Sequence, residues 1–265
     1  MKTLVLANQK GGVGKSAVGV QLAYYLAHVG RKVLFLDLDH QRNSSTPIVK
    51  SKKAVVAGFS ATELLLGRSG ALPEGDFILV PGDDQLSSLE RQPDKHNVMV
   101  NSLKGLLDTA RSRFDICILD TNPNPDIRYA AAMATSDFVL SPIQLNQEAI
   151  DGIGSLLTHP RYGFQKIKAV LNRNLELIGI LPNMVEPTPF QKGNFSQLVA
   201  AYSKLLIPVD AAQGRFAFIP KRSVIAEAQA EGLFIAEIRK TAAKDAWRDI
   251  KPSFDVIAKR MSIEV

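Results

Sequence analysis

The stretch Lys2 to Val20, KTLVLANQKGGVGKSAVGV, concentrates residue types that can hold a phosphate group. Gly11, Gly12 and Gly14 remove the side chains that would keep a backbone from wrapping an anion. The N–H groups of the loop from Lys10 through Val13 to Ala17, and the start of the helix that follows, then face the anion. Lys15 supplies a point charge for the β- and γ-phosphates, and the Ser16 hydroxyl suits a Mg²⁺ position. The loop K-G-G-V-G-K-S is a variant of the GxxxxGK[ST] form, with a second lysine, Lys10, at its start. Two further sets of carboxylates close apolar runs. Asp120 ends FDICILD, where a carboxylate can hold a water of a Mg²⁺ shell. Asp37 and Asp39 end FLDLDHQ, where one can orient an attacking water or reach the metal. Asp39 lies one step further toward solvent and is favoured for the water, while both could instead only cap the loop.

These side chains need strands to carry them. Thr3 to Ala7 is a short apolar run that fits a buried strand, and Ala17 to Val29 has helical spacing and stops at Gly30. Lys32–Asp37, Phe77–Val80, Phe114–Asp120, Phe138–Leu140 and Ile178–Leu181 read as further strands, the last two stopped by Pro142 and Pro182. Between them, Ala61–Leu66, Val98–Arg113, Ile127–Ala134, Glu148–Leu157 and Phe164–Leu171 read as helices. Leu38–Lys53 reads as a mobile polar loop, and Gln92–Asn97 as a polar connector. From Arg222 the chain is largely helical, with a break expected near Lys251-Pro252. Strands alternating with helices predict one doubly wound, mostly parallel α/β sheet flanked by helices over residues 1–265. Ligands in such sheets sit at the carboxyl ends of the strands, where Gln9, Asp37, Asp39, Asp120 and Asn183 stand.

Bulk properties narrow the class. With 46% hydrophobic residues in 265, the chain can fill one core. A net charge of +6 permits a polyanionic partner without demanding one. Cys117 is the single cysteine, which rules out a disulfide framework or a cysteine-ligated cluster within the chain. No apolar run approaches the ~20 residues of a membrane span, and no signal peptide precedes the first strand, so a cytoplasmic location is expected.

The motifs NQKGGVGKS, FLDLDHQRNSS, FDICILDTNP, PIQLNQEAIDGIGSLL, ELIGILPNMVEP and FIPKRSVIAEAQAEG resemble, nearly end to end, the ParA/MinD family of deviant Walker A P-loop ATPases, above all the ParA-type DNA partition ATPases. The resemblance implies ATP and Mg²⁺ as cofactors and an ATP-sandwiched homodimer. In it, Lys10 reaches the partner's phosphates, while Lys15 and Ser16 hold phosphate and metal. Asp39 positions the water, Asp120 is the Walker B carboxylate, and Asn183 with Pro220 to Arg222 meets adenine. It further implies non-specific DNA binding and release when a centromere-binding ParB-type partner stimulates hydrolysis. Three positions depart from the family pattern: His40 and Asn122 replace prolines, and Arg222 replaces an asparagine. Asn122 is expected to loosen the second switch, and the hydrolysis rate is left open. No N-terminal helix-turn-helix extension is expected.

Arg239, Lys240, Lys244 and Arg248 recur on the final helical stretch. Interleaved acids fit a plain solvated face equally well, and the resemblance tips the reading toward DNA. Lys50, Lys52 and Lys53 form a weaker patch. The alternative function, a MinD-like membrane-associated positioning ATPase, would need a C-terminal amphipathic anchor. Ser253–Val265 reads instead as a core-facing helix, with no stable membrane insertion.

Overall fold

In the computed structural model, which describes residues 1–265, the apolar runs become seven strands of one parallel sheet. They are β1 (Lys2–Leu6), β2 (Val33–Asp37), β3 (Val55–Val56), β4 (Phe77–Val80), β5 (Ile116–Asp120), β6 (Phe138–Gln144) and β7 (Glu176–Asn183), in the order β3-β4-β2-β5-β1-β6-β7. Every neighbouring pair is parallel. Strands buried on both faces read as continuous apolar runs, because successive residues feed opposite layers. Leu4 and Leu6 join one core with Phe35 and Ile118, while Val5 joins the other with Leu34, Leu36 and Cys117. Each such side chain contributes roughly 1.5–3 kcal/mol on full burial.

Helices cover both faces. On one lie α1 (Lys15–His28), α2 (Ser45–Ser51), α10 (Ser223–Glu231) and α11 (Thr241–Arg260). On the other lie α3 (Ala61–Leu65), α4 (His96–Ala110), α5 (Ile127–Thr135) and α8 (Phe164–Val170). Short α6 (Gln147–Asp151) and α7 (Ile153–Thr158) pack with α9 (Pro189–Tyr202) beside the end of β6, and a hairpin of β8 (Pro208–Asp210) and β9 (Arg215–Phe216) completes the chain. From β1 the chain crosses through α1 to β2 on one side of β5, whereas from β5 it crosses through α5 to β6 on the other side of β1. This reversal opens a crevice at the carboxyl ends of β1 and β5.

Four expectations from the sequence are corrected. Pro142 does not stop β6, which continues to Gln144 in register with β7. The Pro142 carbonyl accepts from the Asn8 amide, so its missing donor faces the side where β1 has already ended. Pro182 likewise stays within β7, an edge strand, and its carbonyl accepts from Ile219 N. Leu38–Lys53 is not a loop throughout. It contains α2, whose Ser45 is tied to Asp37 and whose Pro47 and Ile48 are buried. α11 runs unbroken through Pro252, because Ser253 Oγ bonds both N–H and C=O of Phe218 while Ile250, Phe254 and Ile257 anchor the helix on either side. The Ser253–Val265 stretch does face the core, with Phe254, Ile257 and Met261 buried, and Cys117 is a buried free thiol. No helix is long and apolar enough to cross a membrane.

Candidate functional site

β1 ends at Leu6 and delivers the chain into the glycine loop. Asn8 pins the turn: its Oδ1 accepts from Lys10 N at 2.8 Å and its Nδ2 donates to Pro142 O at 2.8 Å. Gly12 and Gly14 take φ of 74° and 81°, a left-handed backbone that favours glycine. At Gly14 a Cβ would stand 2.2 Å from Asn183 Nδ2, so a side chain there would displace the Asn183 amide as well as strain the backbone. Asn183, at the end of β7, in turn donates to Val13 O at 2.7 Å. α1 starts at Lys15 with no side chain capping its first N–H groups, which leaves them for an anion.

Gly11 to Ala17, Asp39, Gln41, Asn43, Pro123 and Gln229 line a cavity of about 410 Å³. Lys15 is 6% exposed, with Nζ 3.3 Å from Asn8 O. Burial lowers its pKa, while the charges of Asp120 and Asp39 act to raise it. A lysine placed this way is a nearly dehydrated charge aimed where phosphates would lie.

The acidic residues behind it divide the work. Asp37 and Asp120 are register partners on β2 and β5, and both are fully buried. Burial first, then the charge of Asp120, pushes Asp37 up to about 7. Burial also raises Asp120, with Lys15 among the groups opposing it. Asp37 is saturated: Oδ1 accepts from Asp39 N, and Oδ2 accepts from Ser45 N and Ser45 Oγ. Ser45 Oγ also accepts from Gly82 N, and at Gly82 a Cβ would come 2.7 Å from Asp39 O. Asp37 therefore holds the strand exit and α2 together and does not reach the cavity. Asp39 does reach it, 4% exposed, with Oδ1 accepting from Gln41 N and lying 3.3 Å from His40 Nδ1.

Asp120 Oδ2 accepts from Ser44 Oγ at 2.5 Å, while Oδ1 is buried with no partner. That unpartnered oxygen and the Ser16 hydroxyl are hard donors suited to Mg²⁺ or its waters. No three or more His, Cys, Asp or Glu gather as a metal-holding group.

Other residues expected at the site lie apart. Lys10 points away from the cavity, ion-paired to Glu148 at 2.7 Å and 3.3 Å from Asn146 Oδ1. Pro220 and Arg222 border a neighbouring cavity of about 530 Å³, whose apolar lining includes Val185 and Phe218. Arg222 is paired there with Asp249. Asn122, one of the departures from the family pattern, is buried, and its amide nitrogen donates to Asn124 O and Asp126 Oδ2 while its oxygen has no partner. Asp126 caps α5 and holds buried Arg128, whose Nη1 meets Leu38 O at 3.4 Å. Ser44, Ser45, Glu148 and Gln229 were not singled out from the sequence. Only the serine pair, five and six residues after Asp39, carried a local hint.

Arg239, Lys240, Lys244 and Arg248 are all exposed around the start of α11. Lys240 pairs with Glu227 and Arg248 with Asp245, while Arg239 and Lys244 have no acidic partner. Lys50 and Lys53 are engaged with Glu231 and Glu237.

A phosphate-binding loop after the first strand of a parallel sheet, with a buried carboxylate on the adjacent strand, defines a P-loop nucleotide-binding protein. Comparison narrows the class. An AAA-domain family model matches residues 1–177. A protein IncC of Escherichia coli is 34% identical over 99% of this chain and 71% of its own length. The chromosome-partitioning ATPase Soj of Thermus thermophilus is 29% identical over 91% of this chain and 90% of its own. The chain belongs to the ParA/MinD-type P-loop ATPases. The fold agrees with apo McdA of Cyanothece (TM-score 0.77, 20% identity, 99% of both chains). It also agrees with a putative Borrelia burgdorferi plasmid partition protein bound to AMPPNP (TM-score 0.73, 21% identity, 98% of this chain and 99% of that one).

Proposed function

We propose that this chain is a partition ATPase: Mg-ATP drives a homodimer that binds DNA without sequence preference, and hydrolysis stimulated by a centromere-binding partner of the ParB type releases it. The observation that carries this reading is the buried Lys15 in a loop whose Gly12 and Gly14 take left-handed φ, with Asp39 lining the same cavity. In it, the loop N–H groups from Gly11 to Ser16 and the Lys15 ammonium hold the phosphates, and Ser16 with Asp120 holds Mg²⁺, which would neutralise charge on the phosphate oxygens. Asp39 orients the water, and the base lies toward Asn183, Pro220 and Arg222. The protein acts in the cytoplasm, on the nucleoid. Phe254, Ile257 and Met261 near the end of the chain are buried in the core, which argues against that face serving as a membrane anchor.

Lys10 acts across the dimer once it leaves Glu148. An ion pair this exposed contributes little, so exchanging it for a partner's phosphates is favourable. Lys10→Ala keeps nucleotide binding by the monomer and loses the ATP-dependent dimer. Light scattering checks this, and an intact ATP dimer of the variant rules out the trans role.

DNA binding is the direct test of the partition reading. Each phosphate contact adds about −0.9 to the slope of log affinity against log salt. Dimerisation doubles the basic surface on one rigid body, so ATP gates binding without base readout. Charge reversal at Arg239, Lys244 and Arg248 weakens binding to all sequences equally and flattens the slope, with DNA-free hydrolysis preserved. Titrations over a salt series, with and without ATP, measure it. Binding to a single sequence, or binding indifferent to ATP, sinks the reading.

A further inference from the structure

α10 leads away from the stretch Pro220 to Arg222, and two turns along it places Gln229 against the phosphate cavity. The Gln229 Nε2 donates to Asn43 O at 2.9 Å. A backbone carbonyl can only accept, so the amide orientation follows from chemistry: nitrogen toward Asn43, oxygen away from it. That oxygen, Oε1, is buried and has no donor within the chain. A buried acceptor left unpaired is unfavourable, and this one belongs to a residue that borders the same cavity as Lys15, Ser16 and Asp39.

Resting on the nucleotide reading above, we propose that Gln229 is a nucleotide-binding residue that bridges the bound Mg-nucleotide to the switch loop. Its amide nitrogen holds Asn43, and its carbonyl oxygen accepts from an O–H donor of the ligand. Two donors share this chemistry, a ribose hydroxyl and a water held by Mg²⁺. The phosphates themselves are acceptors and cannot serve. Asn43 directly precedes Ser44, which bonds Asp120, and Ser45, which bonds Asp37. One side chain thus links the ligand to the segment that orders both buried carboxylates. α10 is also packed on α2 through Gly232, where a Cβ would come 2.3 Å from Pro47 O, so Gln229 sits on a fixed mount.

The test compares wild type with Gln229→Leu in displacement of a fluorescent nucleotide by ATP, 2′-deoxyATP and 3′-deoxyATP, each with Mg²⁺ and with EDTA. Gln229→Leu is expected to bind Mg-ATP about two- to ten-fold more weakly, the range for one hydrogen bond. The ratio of wild-type to variant affinity falls to one for the ligand lacking the donor: a deoxy analogue if the ribose supplies it, the EDTA arm if a metal-held water does. Hydrogen exchange over residues 41–45 shows nucleotide protection in wild type that the variant loses in part. A ratio of one for Mg-ATP, or a ratio unchanged across every ligand, overturns the proposal, the latter because the residue then acts through Asn43 alone. The deoxy analogues test wild type directly and need no variant to fold. Failure of wild type to bind any Mg-ATP would instead overturn the nucleotide reading on which the proposal stands.

Discussion

Lys15→Ala is expected to abolish Mg-ATP binding at concentrations that saturate the wild-type protein. The side chain is 6% exposed and lies among Asn8 O, Asp39 and Asp120. Its ammonium has already lost most of its water, so a phosphate meets it at little further desolvation cost. Removing one partner of a buried charged pair costs about 3–5 kcal/mol, two to four orders of magnitude in affinity. Alanine takes away a cation that burial disfavours, but also the countercharge beside Asp120 and Asp39, so folding is checked alongside binding. Filter binding or fluorescence titration, with circular dichroism as the folding control, measures the effect. Affinity within about ten-fold of wild type would move the phosphate site away from this loop.

Asp39→Ala is expected to bind Mg-ATP within about two-fold of wild type and to hydrolyse it about 10²- to 10⁴-fold more slowly, the range for a positioned base. Asp39 contacts no group of the glycine loop through a hydrogen bond; it accepts from Gln41 N and lines the same cavity. The ground-state phosphate contacts survive its removal, while the water loses its orienting carboxylate. The ATP form then accumulates, and DNA retention outlasts that of wild type. Single-turnover hydrolysis with bound-nucleotide analysis separates the two effects. Near-normal turnover would remove Asp39 from the chemistry. Asp37 is then a poor substitute, since both its oxygens are committed to Asp39 N and Ser45.

The contrast between these two aspartates shows where sequence reading ends. L-D-L-D places both at the end of one strand and on one face; the position further toward solvent favoured Asp39, but the alternation alone does not say what keeps Asp37 out of the crevice. The tertiary structure decides it through Ser45, eight residues on, and Gly82, just past the end of β4, which together enclose Asp37. The prolines at 142, 182 and 252 failed as punctuation for a related reason. Each costs one donor, and whether that donor had a partner depends on where the neighbouring strand ends or what anchors the helix beyond.

By itself the sequence determined the phosphate loop, the α/β alternation, and the candidate carboxylates at strand ends. These are local: glycines permit the backbone, apolar runs need covering on both faces, and a polar residue must follow where the strand leaves the core. Only the tertiary structure decided that Lys10 rests on Glu148, that Asn122 is stapled to Asp126, and that Gln229 faces the phosphate cavity across from the loop. Lys10 and Glu148 lie 138 positions apart, and Gln229 and Asn43 lie 186 apart. Contacts at such separations arise when parallel strands and crossover helices bring distant segments to one end of the sheet, and nothing in the spacing of neighbouring residues encodes them.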